Sequence, residues 1–399
     1  MFFLGAPVSC GQVAERWFSL GEKLSFVVLP ARYERIPFNK GASVRMKRPL
    51  FAFCLALMAT VSLAAAPVRK GQELTEINAR ASKGKLVIAN RASGTISVID
   101  AASDRVTGTY PLPAGAKMPE PMYVVYAHDR VFVGDRANNR VAVFHPRTFA
   151  VETTVPAGAG IWHMWADPFD QQLWVNNDID KTCTVIDPRT LTVRATVPTP
   201  ADLAAAGGKP HDVILDPFDG QFAYVTLIGV AGAFDYVVKF STTTFTEVAR
   251  AAVGKDPHIS ATAHNDLLYV PCQNSNVVQV LRRDTLAPVT TLAIPGAHGA
   301  GMAADGHTFY TTNFTGGGTA GLWAINTATN SIISEAVDTP FAVPHNLALT
   351  PGWNNRKLYV THSGATASQV TVYKLKGRIP VFHKTIAVGF NPFGLAYVP

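Results

Sequence analysis

The sequence predicts an all-β protein: a seven-bladed β-propeller with four strands in each blade. Three observations predict it. A unit of four short β-runs recurs seven times, at the period of roughly 40–50 residues that marks propeller blades. The chain is 48% hydrophobic and only 16% charged, which supplies material for a large core. The ends of the repeat array are complementary. It opens at Lys85–Asn90 with a second-strand segment that no inner strand precedes, and it closes at 391–399 with an inner strand that no second strand follows. Pairing the C-terminal inner strand with the N-terminal strands closes the ring and removes its free edges.

One unit shows the elements in order. An inner apolar run, His211 to Leu215, ends at a turn built on Asp216, Pro217 and Gly220. A second run covers Phe222 to Thr226, a third Tyr236 to Phe240 and an outer one Glu247 to Val253. Val, Phe, Tyr and Thr fill these runs while Gly, Pro, Asp and Asn punctuate them, as strands and turns require. Second strands recur as LVIAN (86–90), VFVGD (131–135), LWVNN (173–177), AYVTL (223–227), LYVPC (268–272), FYTTN (309–313) and LYVTH (358–362). Inner strands open at Met122, His163, His211, His258, His298, His345 and Phe393, in steps of 41, 48, 47, 40, 47 and 48 residues.

The segments YVTL and YVTH, with SGTISVID at 93–100 and TVIDPRT at 184–190, resemble the YVTN-repeat propeller family, the YncE-like periplasmic proteins being the nearest group. The resemblance covers all seven repeats. It implies the fold and leaves function open, because related propellers serve as scaffolds, nucleic-acid or surface-binding proteins, lactonases and metal- or cofactor-dependent oxidoreductases.

Upstream of the propeller (84–399), residues 46–66 read as a secretory signal peptide: Lys47 and Arg48, an apolar run from Leu50 to Leu63, then Ala64 to Ala66. Residues 1–45 are expected to be absent from the mature protein, as an over-extended gene start or a leader, and 67–83 form a linker. The expected location is periplasmic or secreted, with no membrane span after cleavage. The formal charge of +7 sits mostly at the front: residues 1–50 carry +5, and residues 51–399 hold 27 basic and 25 acidic side chains. A near-neutral folded part argues against nucleic acid as a partner. A monomer is expected, with a small molecule, peptide or envelope component as partner. Export leaves Cys183 and Cys272, which lie on different repeats and are expected to be unbridged, Cys183 in the core and Cys272 buried.

Loops before inner strands and loops after second strands share one face of a propeller, so two residue sets are expected to meet at the bore. The first is the openers. Five of the seven are histidine (His163, His211, His258, His298, His345), out of 11 in the chain. The second contains Asn90, Asp135, Asn177, Cys272, Asn313 and His362, the last a sixth imidazole. Arg91 and Arg136 follow second strands and are candidates to attract an anion. Imidazoles rising from several strands of a rigid ring suit copper or zinc, at nitrogen distances of about 2.0–2.1 Å. The opposing reading is that duplicated Pro-His pairs merely tie one blade to the next. Trp162, Phe314 and Phe393 lie near the same rim, while Trp165 is expected to pack between blades. Gly316, Gly318 and Gly321 match GxGxxG but lie between strands, where no dinucleotide site forms. No GxSxG, HExxH or P-loop is present.

These residues predict a binding or scaffold protein acting through a histidine-rich face. The alternative is a copper-type oxidoreductase using the ring. A lactonase-like hydrolase ranks below both, because acids near the ring are few.

Overall fold

The computed structural model describes residues 84–352 and 356–399. The segments read as leader, signal peptide and linker lie outside the described residues. The chain builds seven four-stranded antiparallel sheets. The first contains β1 (Lys85–Asn90), β2 (Thr95–Asp100) and β3 (Arg105–Pro111). The second runs β4 (Pro121–Ala127), β5 (Arg130–Asp135), β6 (Arg140–Phe144) and β7 (Val151–Pro156). The third runs β8 (Ile161–Ala166), β9 (Leu173–Asn177), β10 (Thr182–Asp187) and β11 (Thr192–Pro198), followed by a one-turn helix at Ala201–Ala205. The fourth runs β12 (Lys209–Leu215), β13 (Phe222–Ile228), β14 (Asp235–Ser241) and β15 (Glu247–Val253). The fifth runs β16 (Ser260–Ala261), β17 (Leu267–Cys272), β18 (Val277–Arg282) and β19 (Pro288–Ala293). The sixth runs β20 (Ala297–Met302), β21 (Thr308–Asn313), β22 (Leu322–Asn326) and β23 (Ser331–Ile332). The seventh runs β24 (Pro344–Leu349), β25 (Lys357–His362), β26 (Gln369–Lys376) and β27 (Ile379–Ala387). The last strand, β28 (Pro392–Val398), pairs with β1 from Lys85↔Val398 to Asn90↔Pro392 and completes the first sheet.

The core is divided among the seams between blades. Val87 and Val98 of the first blade pack with Val124, Val131 and Phe144 of the second. Leu86, Ile88 and Ile99 pack on the other side with Tyr359, Val370 and Val372 of the seventh. Five further clusters join the remaining neighbours. Apolar burial contributes about 1.5–3 kcal/mol for each large side chain fully removed from water, so every seam carries a substantial share of the stability.

The second-strand tyrosines add a polar strut to these seams. Tyr224, Tyr269, Tyr310 and Tyr359 occupy one repeat position and are all fully buried. Each hydroxyl crosses to the next blade: Tyr224 donates to the Arg283 carbonyl (3.0 Å), Tyr269 to Asn330 Oδ1 (2.8 Å), Tyr310 to the Arg378 carbonyl (2.9 Å) and Tyr359 to Asp104 Oδ1. A buried phenol needs a partner for its O–H, and the turn after the neighbour's third strand provides one.

Candidate functional site at the mouth of the bore

Six of the seven inner strands carry the same irregularity. In β12, Pro210 pairs with Leu227 and Val213 with Val225, so His211 and Asp212 together oppose one residue, Thr226. The same shift occurs in β4, β8, β20, β24 and β28. The fifth blade keeps one register from Pro257↔Cys272 to Ser260↔Tyr269. A bulge bends its strand and frees a backbone N–H. Threonines on the second strands answer that N–H. Thr226 Oγ1 accepts from Asp212 N (2.8 Å), Thr312 Oγ1 from Gly299 N (2.8 Å) and Thr361 Oγ1 from Asn346 N (3.1 Å). Thr312 and Thr361 then donate to the His345 and Phe393 carbonyls of the next blade, both at 2.8 Å.

The bulges define two layers of side chains. Counted from the inner-strand residue paired with the last residue of the second strand (Pro210 with the one before it), with or without a bulge, the upper layer is Met122, Trp162, His211, His258, His298, His345 and Phe393. The lower layer is Tyr123, His163, Asp212, Ile259, Gly299, Asn346 and Gly394. His163 is therefore not an opener. It sits one register deeper and Trp162 takes its place, because Ile161 is the residue that pairs with Asn177 at the end of the second strand. The lower layer is crowded: a Cβ on Gly299 would come within 2.3 Å of the His345 carbonyl oxygen.

Four histidines form a continuous arc in the upper layer. Ring centroids lie 4.7 Å apart for His211–His258, 3.8 Å for His258–His298 and 4.6 Å for His298–His345. Phe393 follows His345 at 4.1 Å, and Trp162 returns from Phe393 (5.6 Å) to His211 (5.5 Å). Phe314 packs on His298 at 4.6 Å. All four imidazoles are buried, His258 to 1% exposure.

The hydrogen bonds fix several ring nitrogens. His258 Nδ1 lies 3.2 Å from Asp212 Oδ2, and an ionised carboxylate can only accept, so Nδ1 carries the proton. His298 Nδ1 donates to Gln273 Oε1 (2.5 Å). His345 Nδ1 lies 2.7 Å from Ser363 Oγ, whose own proton is given to the Pro392 carbonyl (3.0 Å). Asn346 Nδ2 is 3.3 Å from the same nitrogen and nearer to Tyr123 Oη at 3.2 Å. His163 Nδ1 accepts from Val213 N (3.2 Å). Five polar atoms of this cluster are buried without a hydrogen-bond partner: His211 Nδ1, His258 Nε2, His298 Nε2, Asp212 Oδ1 and Trp162 Nε1.

Burial decides the charge state of most members. It holds His211 down at about 4, with the neighbouring His258 adding to the effect. It holds His163 below the usual imidazole range and pushes His298 and His345 well below it, the last two also repelled by His258. His258 is the exception. Burial opposes its charge, but the Asp212 carboxylate outweighs burial and raises it. Asp212 is held low in turn, burial being overcome by the His163 and His258 rings. The mouth thus presents neutral imidazoles around the Asp212–His258 pair, with the Asp256 carboxylate a further 3.9 Å from His211 Nδ1. Among the described residues, His211, Asp212 and His258 are the group whose ligand-type atoms all lie within 4.8 Å of one another.

The second predicted set does not reach the bore. Side chains alternate along a strand, and at the last position of the second strand they turn into the blade. Asn90 donates to Thr95 Oγ1 (3.0 Å) and Ser97 Oγ (2.9 Å), and Asn177 to Thr182 Oγ1 (3.1 Å) and Thr184 Oγ1 (2.9 Å). Asn313 Oδ1 accepts from Thr315 Oγ1. His362 lies 3.1 Å from the Ala342 carbonyl and 2.9 Å from Thr371 Oγ1. It is a latch inside its own blade, and burial holds it down at about 4. Asp135 is closed off by Arg140 (3.0 Å), Asn138 (2.9 Å) and the Glu120 amide (3.0 Å). Arg91 and Arg136 do stand at the mouth, but as paired charges, to Glu120 (2.6 Å) and Asp178 (2.9 Å). Their guanidinium groups lie over the rim aromatics, Arg136 at 4.9 Å from Trp162 and Arg91 at 5.2 Å from Phe393.

Cys183 and Cys272 are both buried and free, and burial pushes the Cys272 thiol up to about 12. Trp165 is not a packing residue between blades. It is 45% exposed and, with Tyr126, Tyr397 and Leu349, lines a cavity of about 460 Å³ between the inner strands.

No protein-family model matches the chain, and no curated protein matches it. Similar solved structures exist. A candidate 6-phosphogluconolactonase from Bacteroides fragilis aligns at 15% identity over 80% of this chain and 98% of its own, with a TM-score of 0.62. The periplasmic gluconolactonase PpgL of Pseudomonas aeruginosa aligns at 17% identity over 79% and 99%, with a TM-score of 0.61. Hydrazine synthase of Kuenenia stuttgartiensis aligns at 15% identity over 70% and 90%, with a TM-score of 0.56. At these identities the likeness concerns the fold, a seven-bladed propeller.

Proposed function

We propose that this chain is an exported, YVTN/YncE-like propeller that binds a small polar molecule at the histidine mouth of its bore. One observation carries the reading: buried, partnerless nitrogens of Trp162, His211, His258 and His298 are gathered at one end of the ring. A buried polar atom left unpaired costs about 1–3 kcal/mol, so the cluster favours an occupant that supplies partners. Aromatic walls with a few placed polar groups are the usual make-up of a small-molecule site. Export rests on the signal-like run at 46–66.

A second reading, lactone hydrolysis, is favoured by the Asp212–His258 pair. A carboxylate holding Nδ1–H leaves Nε2 to take a proton from water, which is the work of a general base. The gluconolactonase names among the similar structures point the same way.

Saturation-transfer NMR with D-gluconate and 6-phospho-D-gluconate, and a hydrolysis assay on D-glucono-1,5-lactone, test both. Trp162→Phe deletes the indole donor and keeps an aromatic ring, so it is expected to weaken sugar-acid binding at least fivefold. Asp212→Asn is expected to cut any lactone turnover at least tenfold. Saturation transfer that ignores Trp162→Phe would overturn the binding reading.

A further inference from the structure

We propose that His211, Asp212 and His258 hold one divalent metal ion of the zinc class, with the Asp256 carboxylate as the fourth donor. The proposal deepens the reading of the mouth as the binding site and rests on it.

Each of the three residues offers a ligand-type atom, and these atoms all lie within 4.8 Å of one another. His258 Nδ1 stands 3.2 Å from Asp212 Oδ2, and His211 Nδ1 stands 3.9 Å from Asp256 Oδ1. Two donors on one tetrahedral ion, each at about 2.1 Å from it, stand about 3.4 Å apart, so small side-chain shifts close the set. The bulge in β12 makes the grouping possible. Consecutive residues of a regular strand point to opposite faces, but here His211 and Asp212 together oppose Thr226 and share one neighbourhood. His258 enters from the unbulged fifth blade, and Asp256 from the loop just before it.

A second observation points to an occupant. His211 Nδ1, Asp212 Oδ1 and His258 Nε2 are buried without a hydrogen-bond partner, one atom on each residue of the group. The three side chains are only 7%, 6% and 2% exposed. An Asp212–His258 pair that merely joined two blades would gain nothing from these partnerless atoms, since each desolvated one costs free energy. Asp256, at 22%, closes the set on its solvent side.

Donor chemistry sets the class of ion. Two imidazoles with two carboxylates form the mixed nitrogen and oxygen set that zinc accepts, whereas calcium takes six to eight oxygens. Two carboxylates also cancel the charge of a divalent ion, which a buried site requires. The rival occupant is an ordered water, which also satisfies two to four polar partners.

The test uses the mature protein, made without a polyhistidine tag and stripped with a chelator, and titrates Zn²⁺ by calorimetry. One ion per chain is expected. His258→Ala and Asp212→Asn each remove a ligand and should weaken affinity at least about 100-fold, and Asp256→Asn at least about tenfold. His362→Asn, a buried imidazole inside its own blade, should leave it unchanged. Asp256→Asn lies at the solvent edge and gives an answer even where a buried variant fails to fold. Absence of zinc binding, an affinity unchanged in Asp256→Asn, or an equal loss in His362→Asn would overturn the proposal. Repeating the sugar-acid NMR on stripped protein separates the two claims. Saturation transfer without zinc binding sinks the ion alone, and loss of both sinks the reading of the mouth.

Discussion

His258 is pulled above the usual imidazole range while burial holds its neighbours below it, and the difference is one carboxylate 3.2 Å away. His362 shows the opposite balance. It is buried, and its carbonyl and hydroxyl partners carry no full charge to offset burial, so its imidazole is held at about 4 against an ordinary value of about 6.5. The sign follows from linkage. Between pH 6.5 and 4 the unfolded chain takes up a proton that the native chain refuses, so stability falls as pH falls, by about 3 kcal/mol from this residue near pH 4. Asn90, Asn177 and Asn313 hold the equivalent position in other blades, so His362→Asn is expected to keep the latch and remove the titration. Urea midpoints measured from pH 7 to pH 4 should fall less steeply in the variant; parallel curves would refute the assignment. Four openers, His211, His258, His298 and His345, were legible from repeat spacing alone. His163 was misplaced by one residue, because a bulge is invisible in a sequence and a one-residue slip changes the layer. The imidazole partners Gln273 and Ser363 each follow a second strand, the repeat position that singled out Arg91 and Arg136, but spacing does not say which side chain there meets a ring.

At the scale of the strand, the tyrosine of YVTL and YVTH is explained by its reach. Tyr310 buries its ring and gives its proton to the Arg378 carbonyl of the next blade. Tyr310→Phe leaves that carbonyl without its donor and is expected to cost about 1 kcal/mol, a fall in melting temperature of about 2 °C in a domain of this size. Calorimetry checks it, with Tyr126→Phe as comparison: that hydroxyl reaches only the exposed Asp129, and its loss should move the melt by under 1 °C. Strand order and strand type were readable throughout, since alternation and turn residues are local signals. The direction of the last residue of each second strand was not. Asn90, Asp135 and His362 turn into the blade instead of the bore, because strand pleating overrides their nearness to the rim.

For the whole molecule, β28 lies beside β1 in the first sheet, and the seam between seventh and first blades is tied by charge. Lys357 Nζ reaches Asp104 Oδ2 at 2.7 Å, and Lys384 Nζ reaches the Asp104 carbonyl at 2.7 Å. A chain stopped at residue 391 loses β28 and leaves the edge of β1 unpaired, a template for association. It is expected to elute as soluble aggregate in size-exclusion chromatography and to lose its cooperative melt; a monomer with an unchanged melt would contradict the pairing. The blade count and the complementary ends of the array were visible in sequence because blades are copies. The division of the core among seven seams follows from that count. The histidine openers, by contrast, belong to none of these apolar clusters, and at the kinks beside His211, His298 and His345 the spare amide is met by a threonine on the second strand. Recognition and durability are therefore written in different letters of each repeat. Met122 and Phe393 are the exceptions, being packed in an apolar cluster between blades, so it is at the histidine positions that a protein built this way can be retuned, one note at a time, without loosening the frame.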